Sequence, residues 1–422
     1  MARTAARLPE GGRITDQISL GVIAKTFPLA NIRAALTATG TASVRERALP
    51  AHVMVYYVIA MALLMQSSCR EVLRCLLEGV LLCLRLSATV KVASKLTVKA
   101  ADKSDIKVAG KSAISQARTR LGWEPVRRLH DDLVKPIAVR TTRGAWYKDW
   151  LLVSLDGSTL DVADNPANEE AFGRQRSSRG SSAFPQIRFV SLLENGTHVL
   201  FASQMGAYAT GEVTLAKTVV ASLRRGMLCL ADRNFFCFAL WKLACQTGAD
   251  LLWRVKKNAN LPREIELPDG SYLSHTYPSE KDRRHKTNGM QVRVIEYCLD
   301  GVDGAEPLYR LVTTILDHEK APAKELAALY HERWEIETVL DEMKTHLRGA
   351  RIVLRSKTPD LVRQEFYGLM MAHFAIRGLM HEAALKADED PDCLSFMHAV
   401  RVIRRKLTSF AAIPPWAQAC LS

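Results

Sequence analysis

The sequence lacks the features that mark zinc proteins, disulfide-stabilised secreted proteins and membrane proteins. Its nine cysteines include no Cys-x-x-Cys pair and no Cys/His cluster at zinc spacing. Their odd number and scatter are typical of free thiols in a reducing cytoplasm. Residues 1–12 carry no apolar stretch of the kind that a signal peptide needs. The most apolar run, residues 53–65, is too short to span a bilayer and is therefore predicted to be a core helix.

The sequence also lacks internal repeats and low-complexity tracts, but it has an excess of positive charge. Its 58 Lys and Arg residues outnumber its 44 Asp and Glu residues and give a net charge of +14. Because each phosphate that is neutralised releases condensed counterions, such an excess favours a polyanionic partner. Ribosome-bound proteins and proteins of acidic membranes share this bias, so the charge alone only suggests nucleic acid.

The length of 422 residues predicts two or three domains. Residues 1–145 have the pattern of a separate, mainly helical and basic domain. In residues 146–386 apolar strands alternate with helices, which predicts a mixed α/β core. Short β-rich runs separated by turns predict a β-rich insertion at about residues 250–316. Residues 387–422 are predicted to be a helical carboxyl-terminal segment.

Two aspartates stand where catalytic carboxylates are expected in an α/β protein. Asp156 and Asp232 each directly follow a short apolar strand, and ligands collect at such strand ends. Two carboxylates brought together there repel each other, and a divalent cation such as Mg²⁺ relieves the repulsion. Taken singly, each aspartate could equally be an ordinary turn residue. Asp269, followed by Gly270, is predicted to be only that, in a hairpin turn.

A third candidate carboxylate lies on a predicted helix with several cations. On a uniform helix turning about 100° per residue, one narrow face carries Tyr330, Arg333, Glu337 and Lys344. Arg348 extends the same face. A carboxylate flanked by cations suits a metal ligand beside phosphates, but a solvated face with i,i+4 charge pairs has the same composition. The spacing alone does not select Glu337 over Asp341.

The pattern Tyr-x2-Arg-x3-Glu-x6-Lys in this segment resembles the signature of the insertion-sequence-four family of transposases, within the DDE superfamily. Asp156-Gly-Ser-Thr159 resembles the first aspartate motif of that family, and Asp232-Arg233 resembles the second. Residues 114–122 are similar to part of its amino-terminal domain, and residues 354–365 to the segment after the signature. The motifs stand in the family's order across roughly residues 15–415.

The resemblance implies an RNase H-like catalytic core with a β-rich insertion, preceded by a mainly helical DNA-binding domain. The triad that would act in catalysis and bind metal is Asp156, Asp232 and Glu337. Two Mg²⁺ ions about 4 Å apart, for which Mn²⁺ would substitute, are expected to activate the nucleophile and stabilise the leaving oxygen. The residues expected to bind DNA are Tyr330, Arg333, Lys344 and Arg348 near the cleaved end, and Arg118 and Arg120 at the terminal repeats.

The implied function is that of a bacterial DNA transposase, which cuts the ends of an insertion sequence and joins them to target DNA. Its expected partner is double-stranded DNA, on which it would act as a homodimer, in the cytoplasm at the nucleoid and not at a membrane. The chain ends abruptly on an apolar segment where relatives carry a basic tail, which is consistent with truncation. The alternatives are an inactive or domesticated transposase that regulates through DNA binding, and an RNase H-like nuclease that only hydrolyses.

Overall fold

The computed structural model describes residues 19–44, 49–76, 109–177, 180–298, 306–349 and 353–407. The apolar end of the chain, for which truncation is expected, lies outside the described residues. Within them, no helix has both the length and the apolarity needed to cross a membrane.

Helices make up the described chain before the first strand. They are α1 (Ser19–Thr26), α2 (Leu29–Ala38), α3 (Ala51–Leu63), α4 (69–76), α5 (Lys111–Leu121) and α6 (Glu124–Leu133). Helix α3 is buried on nearly every side, which is typical of a core helix. The prediction from the apolar run at residues 53–65 is therefore confirmed.

A ten-stranded mixed sheet forms the centre of the molecule. The strands of the described chain, two of which lie outside this sheet, are β1 (Trp146–Tyr147), β2 (Trp150–Asp161), β3 (Arg176–Ser177), β4 (Gly180–Ser181), β5 (Gln186–Glu194), β6 (Val199–Ala207), β7 (Met227–Ala231), β8 (Asp250–Arg254), β9 (Ile265–Glu266), β10 (Tyr272–Thr276), β11 (Met290–Tyr297) and β12 (Tyr309–Thr313). The sheet order is β6-β5-β2-β7-β8-β12-β11-β10-β9, with β1 beside β2, while β3 and β4 form a separate ribbon.

The strand directions divide the sheet into two parts. Strands β2, β7 and β8 are parallel, and β5 runs antiparallel to β2 on its other side. Every residue of β7 is buried, as expected for a parallel strand covered on both faces. Beyond β8, strands β12, β11, β10 and β9 are all antiparallel and extend the sheet. Strand β8 thus pairs with the parallel strands, and the antiparallel extension follows it in the chain.

The remaining helices follow the first strand in the chain, and α12 lies within the signature segment. They are α7 (Pro166–Phe172), α8 (Glu212–Val219), α9 (Phe238–Cys245), α10 (Glu280–His285), α11 (Ala323–Leu329), α12 (Glu335–Asp341), α13 (Pro359–Ala387) and α14 (Phe396–Leu407). Short 3₁₀ turns lie at Val220–Ser222, Tyr330–Trp334 and Pro391–Cys393, and a π-helical turn at Glu342–Gly349.

Helix α13 joins the amino-terminal helices to the sheet. It contacts α3 and α6 on one side and β6 on the other. At its crossing with α3 stands Gly368, where a β-carbon would lie 2.7 Å from Cγ1 of Val58. The glycine therefore permits a close approach of the two helices. Buried residues of both regions belong to one hydrophobic core.

Candidate active site

The two candidate aspartates lie side by side at one edge of the sheet. Strands β2 and β7 pair in parallel, and the last pair in their register is Leu155 with Ala231. Asp156 is the next residue of β2, and Asp232 directly follows the last residue of β7. Because neighbouring strands are about 4.8 Å apart, the two carboxylates start from adjacent positions. Strand β2 continues past this point only in its pairing with β5.

The third acid lies on a segment whose winding changes twice. It is 3₁₀ at Tyr330–Trp334, α-helical at Glu335–Asp341 and π-helical at Glu342–Gly349. The expectation of one uniform helix with all five signature residues on one face is therefore wrong. The spacing still brings neighbouring signature residues to the same side. Tyr330 and Arg333 are three residues apart in the 3₁₀ turn, where such residues eclipse. Arg333 and Glu337 are four residues apart, the spacing of neighbours on an α-helix.

Arg333 connects the first and third acids. Its Nη1 lies 3.5 Å from Oδ2 of Asp156, and its Nη2 donates a 3.0 Å hydrogen bond to Oε1 of Glu337. The side chain is buried, at 7% exposure. Burial acts to lower the pKa of Arg333, but Tyr330 and the nearby carboxylates, including Asp232, raise it. Two of the candidate acids, Asp156 and Glu337, thus contact one guanidinium group, and the charge of the third, Asp232, also acts on it.

The environment of Asp156 disfavours its negative charge. Burial raises the pKa of Asp156 to about 6, and the charges of Glu212 and Glu337 add to the rise. The Gly157 N–H, which donates to Oδ1 at 2.7 Å, and Arg333 act in the opposite direction without cancelling it. A carboxylate in this position is stabilised in its charged form by a nearby cation. Oxygen ligands of this kind fit a hard divalent ion.

Lys344 brings a second cation to the same edge. Its Nζ donates a 2.6 Å hydrogen bond to Oγ of Ser158, two residues after Asp156 on β2. Burial, together with the charge of Arg348, lowers the pKa of Lys344. The lysine of the signature is therefore tied to the strand that carries the first aspartate.

Two further signature residues are buried rather than presented on an open face. The hydroxyl of Tyr330 donates to the carbonyl of Ala231 at 3.2 Å, at the end of β7, and burial raises its pKa. Arg348 is 6% exposed, and its Nε donates to the carbonyl of Lys344 at 3.4 Å. Its Nη1 has no hydrogen-bond partner among the described residues.

Comparisons with known protein families show to which family the chain with this site belongs. The family described as insertion element 4 transposase N-terminal matches residues 17–131. The family described as transposase DDE domain matches residues 150–375, which is more than half of the chain. The chain belongs to the DDE transposases of insertion-sequence-four type. It is an enzyme of DNA cleavage and strand transfer that depends on a divalent metal, and the predicted RNase H-like α/β core is confirmed.

Two relatives from Escherichia coli agree with this assignment. The transposase InsG for insertion sequence element IS4 of Escherichia coli K12 is 28% identical over 387 residues, which cover 90% of this chain and 81% of InsG. The protein InsZ of the same strain is 28% identical over 158 residues, or 37% of this chain and 52% of InsZ. A solved piggyBac transposase synaptic complex with hairpin DNA overlays with a TM-score of 0.45 at 12% identity, covering 97% of this chain and 83% of that one. The alternative of an inactive regulator gains no support from these relatives.

The two amino-terminal arginines of the transposase that are expected to bind DNA, Arg118 and Arg120, lie in different environments. Arg118 is 6% exposed and donates to Gln364, Ser356 and the carbonyl of Leu361. The expectation that it contacts DNA is corrected, because its guanidinium attaches helix α5 to α13 within the protein. Arg120 lies two residues further on the same helix, faces away from Arg118, and is exposed. Only Arg120 of this pair is open to a phosphate.

A cluster of polar residues lies at the start of α12. No sequence motif indicates it. Oxygen and nitrogen atoms of His198, Glu335 and Asp392 lie within 4.8 Å of one another, as metal ligands would. However, Nδ1 of His198 lies 2.7 Å from Nη2 of Arg377, which can only donate. Nδ1 is therefore the acceptor, and the ring proton is on Nε2, which faces Asp392 at 3.0 Å. A protonated Nε2 cannot bind a metal ion.

The role of this cluster is to hold the signature segment in place. The N–H of Gly196, in the turn between β5 and β6, donates a 2.8 Å hydrogen bond to Oε2 of Glu335. In the same turn, Nδ2 of Asn195 donates to the carbonyl of Glu332 at 2.8 Å. The turn thus fixes both sides of Arg333. The sequence gives little sign of this contact, because the two segments are about 140 residues apart.

Proposed function

We propose that Asp156, Asp232 and Glu337 are the catalytic, metal-binding triad of this transposase, and that they hold two Mg²⁺ ions, for which Mn²⁺ substitutes. The observation that carries the proposal is that Arg333 contacts both Asp156 and Glu337, while the register of β2 with β7 places Asp232 next to Asp156. When bound, the ions would supply the charge that activates a water or 3′-hydroxyl and stabilises the leaving oxygen.

The protein's own side chains prepare this site. Arg333 holds Glu337 close to Asp156, so that the acids need little rearrangement during the reaction. Lys344, fixed by Ser158, supplies a positive charge for the phosphate at the cleaved end. Tyr330 acts as a positioning residue, since its bond to Ala231 sets the end of β7 next to Asp232.

The substrates are the terminal repeats of the element and the target DNA. The net charge of +14 supports binding of double-stranded DNA along the protein surface. Arg120, exposed on α5, is a candidate contact to the backbone of the terminal repeat. Arg348 is buried beside Lys344, so its positive charge would act near the cleaved end without a direct contact to DNA. Pairing of two ends implies a homodimer on DNA, acting at the bacterial nucleoid.

The test uses purified protein and labelled linear DNA that carries the element ends, with Mg²⁺ or with EDTA. We expect nicks at the element boundary that require both the metal and Glu337, followed by joining to a second DNA. Glu337→Gln should lose the nicks, whereas Glu389→Gln, at an exposed position away from the site, should keep them. If the wild-type protein binds the ends but does not cut them with any divalent ion, the regulator alternative replaces this proposal.

A further inference from the structure

Three cations surround a single carboxylate at one end of the sheet. The carboxylate is Glu306, in the segment that leads into β12. Its Oε1 lies 2.8 Å from Nη1 of Arg233 and 2.7 Å from Nη2 of Arg254, and its Oε2 lies 3.5 Å from Nζ of Lys257. Within the described part of the chain, no second carboxylate pairs with any of these cations. Three positive charges therefore face one negative charge.

This surplus of positive charge lies beside the proposed metal site. Arg233 directly follows Asp232 in the chain. Arg254 is the last residue of β8, and the last pair in the register of β8 with β7 is Trp253 with Ala231. Arg254 thus starts from the position next to Asp232, because neighbouring strands are about 4.8 Å apart. An anion bound by these cations would lie near the second aspartate.

The three cations remain available to a ligand other than Glu306. The guanidinium group of Arg254 lies over the ring of Tyr309, 4.6 Å from its centroid, so the aromatic ring also holds it in place. The side chains of Arg233 and Lys257 are 41% and 55% exposed and can be reached from solvent. A phosphodiester matches such a site, because it is an anion with two free oxygens, which arginine binds well.

Glu306 is held in a way that an external anion can reverse. Its side chain is 27% exposed. Desolvation acts to raise the pKa of Glu306, but the hydrogen bond from Arg254 and the charges of the three cations lower it overall. The group is therefore negatively charged at neutral pH. Because exposed ion pairs contribute little to stability, a phosphate that supplies the same charge can take its place.

We propose that Glu306 is an internal substitute for a DNA phosphate. It occupies the anion site formed by Arg233, Arg254 and Lys257, and a phosphate of the DNA backbone displaces it when DNA binds. The inference rests on the proposed function, in which DNA is the substrate, and it adds a self-inhibiting contact. In the free protein this part of the DNA surface is closed, and DNA binds there only by breaking the contacts of Glu306.

The test measures DNA binding by the full-length protein in EDTA, so that no cleavage occurs. Fluorescence anisotropy follows a labelled duplex that carries the element ends. We expect Glu306→Gln to lower the Kd about fivefold or more, because it frees the three cations. Glu266→Gln is the matched control, since Glu266 is an exposed acid of the same antiparallel extension that also pairs with an arginine. It removes the same charge and should change the Kd less than about twofold.

The outcomes separate this inference from the proposed function. If Glu306→Gln binds DNA like the wild type, or if Glu266→Gln tightens binding equally, Glu306 does not occupy a phosphate site. The triad then still stands or falls by the nicking reaction. If the wild-type protein does not bind the duplex at all, the proposed function fails together with this inference.

The wild-type protein provides a second measurement, which holds even if Glu306→Gln does not fold. Its lysines are acetylated with and without DNA and the products are identified by mass spectrometry. DNA should lower the acetylation of Lys257 severalfold, because a phosphate covers its amino group. Lys386, an exposed lysine paired with Glu382, is the control and should react alike in both samples. Acetylation of Lys257 that DNA leaves unchanged would overturn the inference.

Discussion

Asp156 combines a functional position with an unfavourable charge. Its ordinary pKa is 3.8, and burial followed by the charges of Glu212 and Glu337 raises it to about 6 in the folded protein. Between these two values the folded state binds more protons than the unfolded state. The free energy of unfolding therefore falls as the pH rises through this window, and the loss is complete above about pH 6.

We accordingly expect Asp156→Asn to stabilise the metal-free protein at pH 8 while abolishing nicking. The gain should be up to about 3 kcal/mol, since each pKa unit corresponds to about 1.4 kcal/mol. It should shrink to less than about 1 kcal/mol near pH 4, where the wild-type carboxyl group is protonated in the folded state and about half protonated in the unfolded state. Urea unfolding at pH 4, 6 and 8 measures the difference.

The control for this substitution is Asp149→Asn. Asp149 is 96% exposed and pairs with Arg140, so its removal should change the free energy of unfolding by less than about 1 kcal/mol. A gain for Asp156→Asn that is independent of pH would contradict the electrostatic explanation. A destabilisation at pH 8 would show that the bonds from Gly157 and Arg333 outweigh burial.

At the scale of the elements, the signature segment shows what the sequence could and could not predict. The resemblance to the family signature selects Glu337 and Arg333, which the structure brings together with Asp156. The π-helical turn after α12 was not predictable from periodicity, because distant residues hold it. Arg377 of α13 donates to Glu342, and Arg404 of α14 donates to the carbonyl of Leu347. Such contacts override the local helical preference and bury residues that a uniform helix would expose.

The antiparallel extension is joined to the signature segment by one buried ion pair. The predicted hairpin turn at Asp269 is present, with Gly270 at a φ of 82°. In addition, Asp269 accepts hydrogen bonds from Arg293 of β11 and from the N–H of Ala323, which starts α11. Arg293 also donates to the carbonyl of Ala321 at 2.7 Å. The turn therefore fixes the helix that leads into Tyr330.

Arg293→Met should destabilise the protein strongly. Arg293 is 0% exposed, and the loss of one partner of a buried ion pair costs about 3–5 kcal/mol. Arg263→Met is the matched control, because Arg263 lies in the same extension with half of its side chain exposed, and its ion pairs should contribute less than about 1 kcal/mol. Denaturant unfolding compares the two variants. Equal losses of unfolding free energy in Arg293→Met and Arg263→Met would mean that the buried ion pair does not connect the antiparallel extension to helix α11.

At the scale of the whole molecule, the amino-terminal helices and the catalytic sheet depend on the same core. Composition suggested a separate domain up to about residue 145, since it shows only where the pattern changes along the chain. The contacts that unite the two regions span long separations, as in the bond from Arg118 to Gln364. At the α3–α13 crossing they depend on the missing side chain of Gly368. We therefore expect the two regions to unfold together.

Two glycines of α13 provide the test. At Gly368 a β-carbon would lie 2.7 Å from Cγ1 of Val58 and 2.9 Å from its carbonyl oxygen, whereas at Gly378 it would meet no described atom within 4 Å. Gly378→Ala should stabilise the protein by about 0.5–1 kcal/mol, because alanine favours the helix. Gly368→Ala gains the same preference but forces the helices apart, and should lose about 1–3 kcal/mol overall.

Hydrogen exchange then shows how far the effect of Gly368→Ala reaches. If the core is common, the amides of α3 and those of β2 lose protection by the same free energy, because both open in one cooperative unit. Loss of protection in α3 alone, with β2 unchanged, would show that the helices open independently of the catalytic sheet. In that event the shared core would be a docking interface, and the loss in Gly368→Ala would measure the attachment of the amino-terminal helices rather than the stability of the whole transposase.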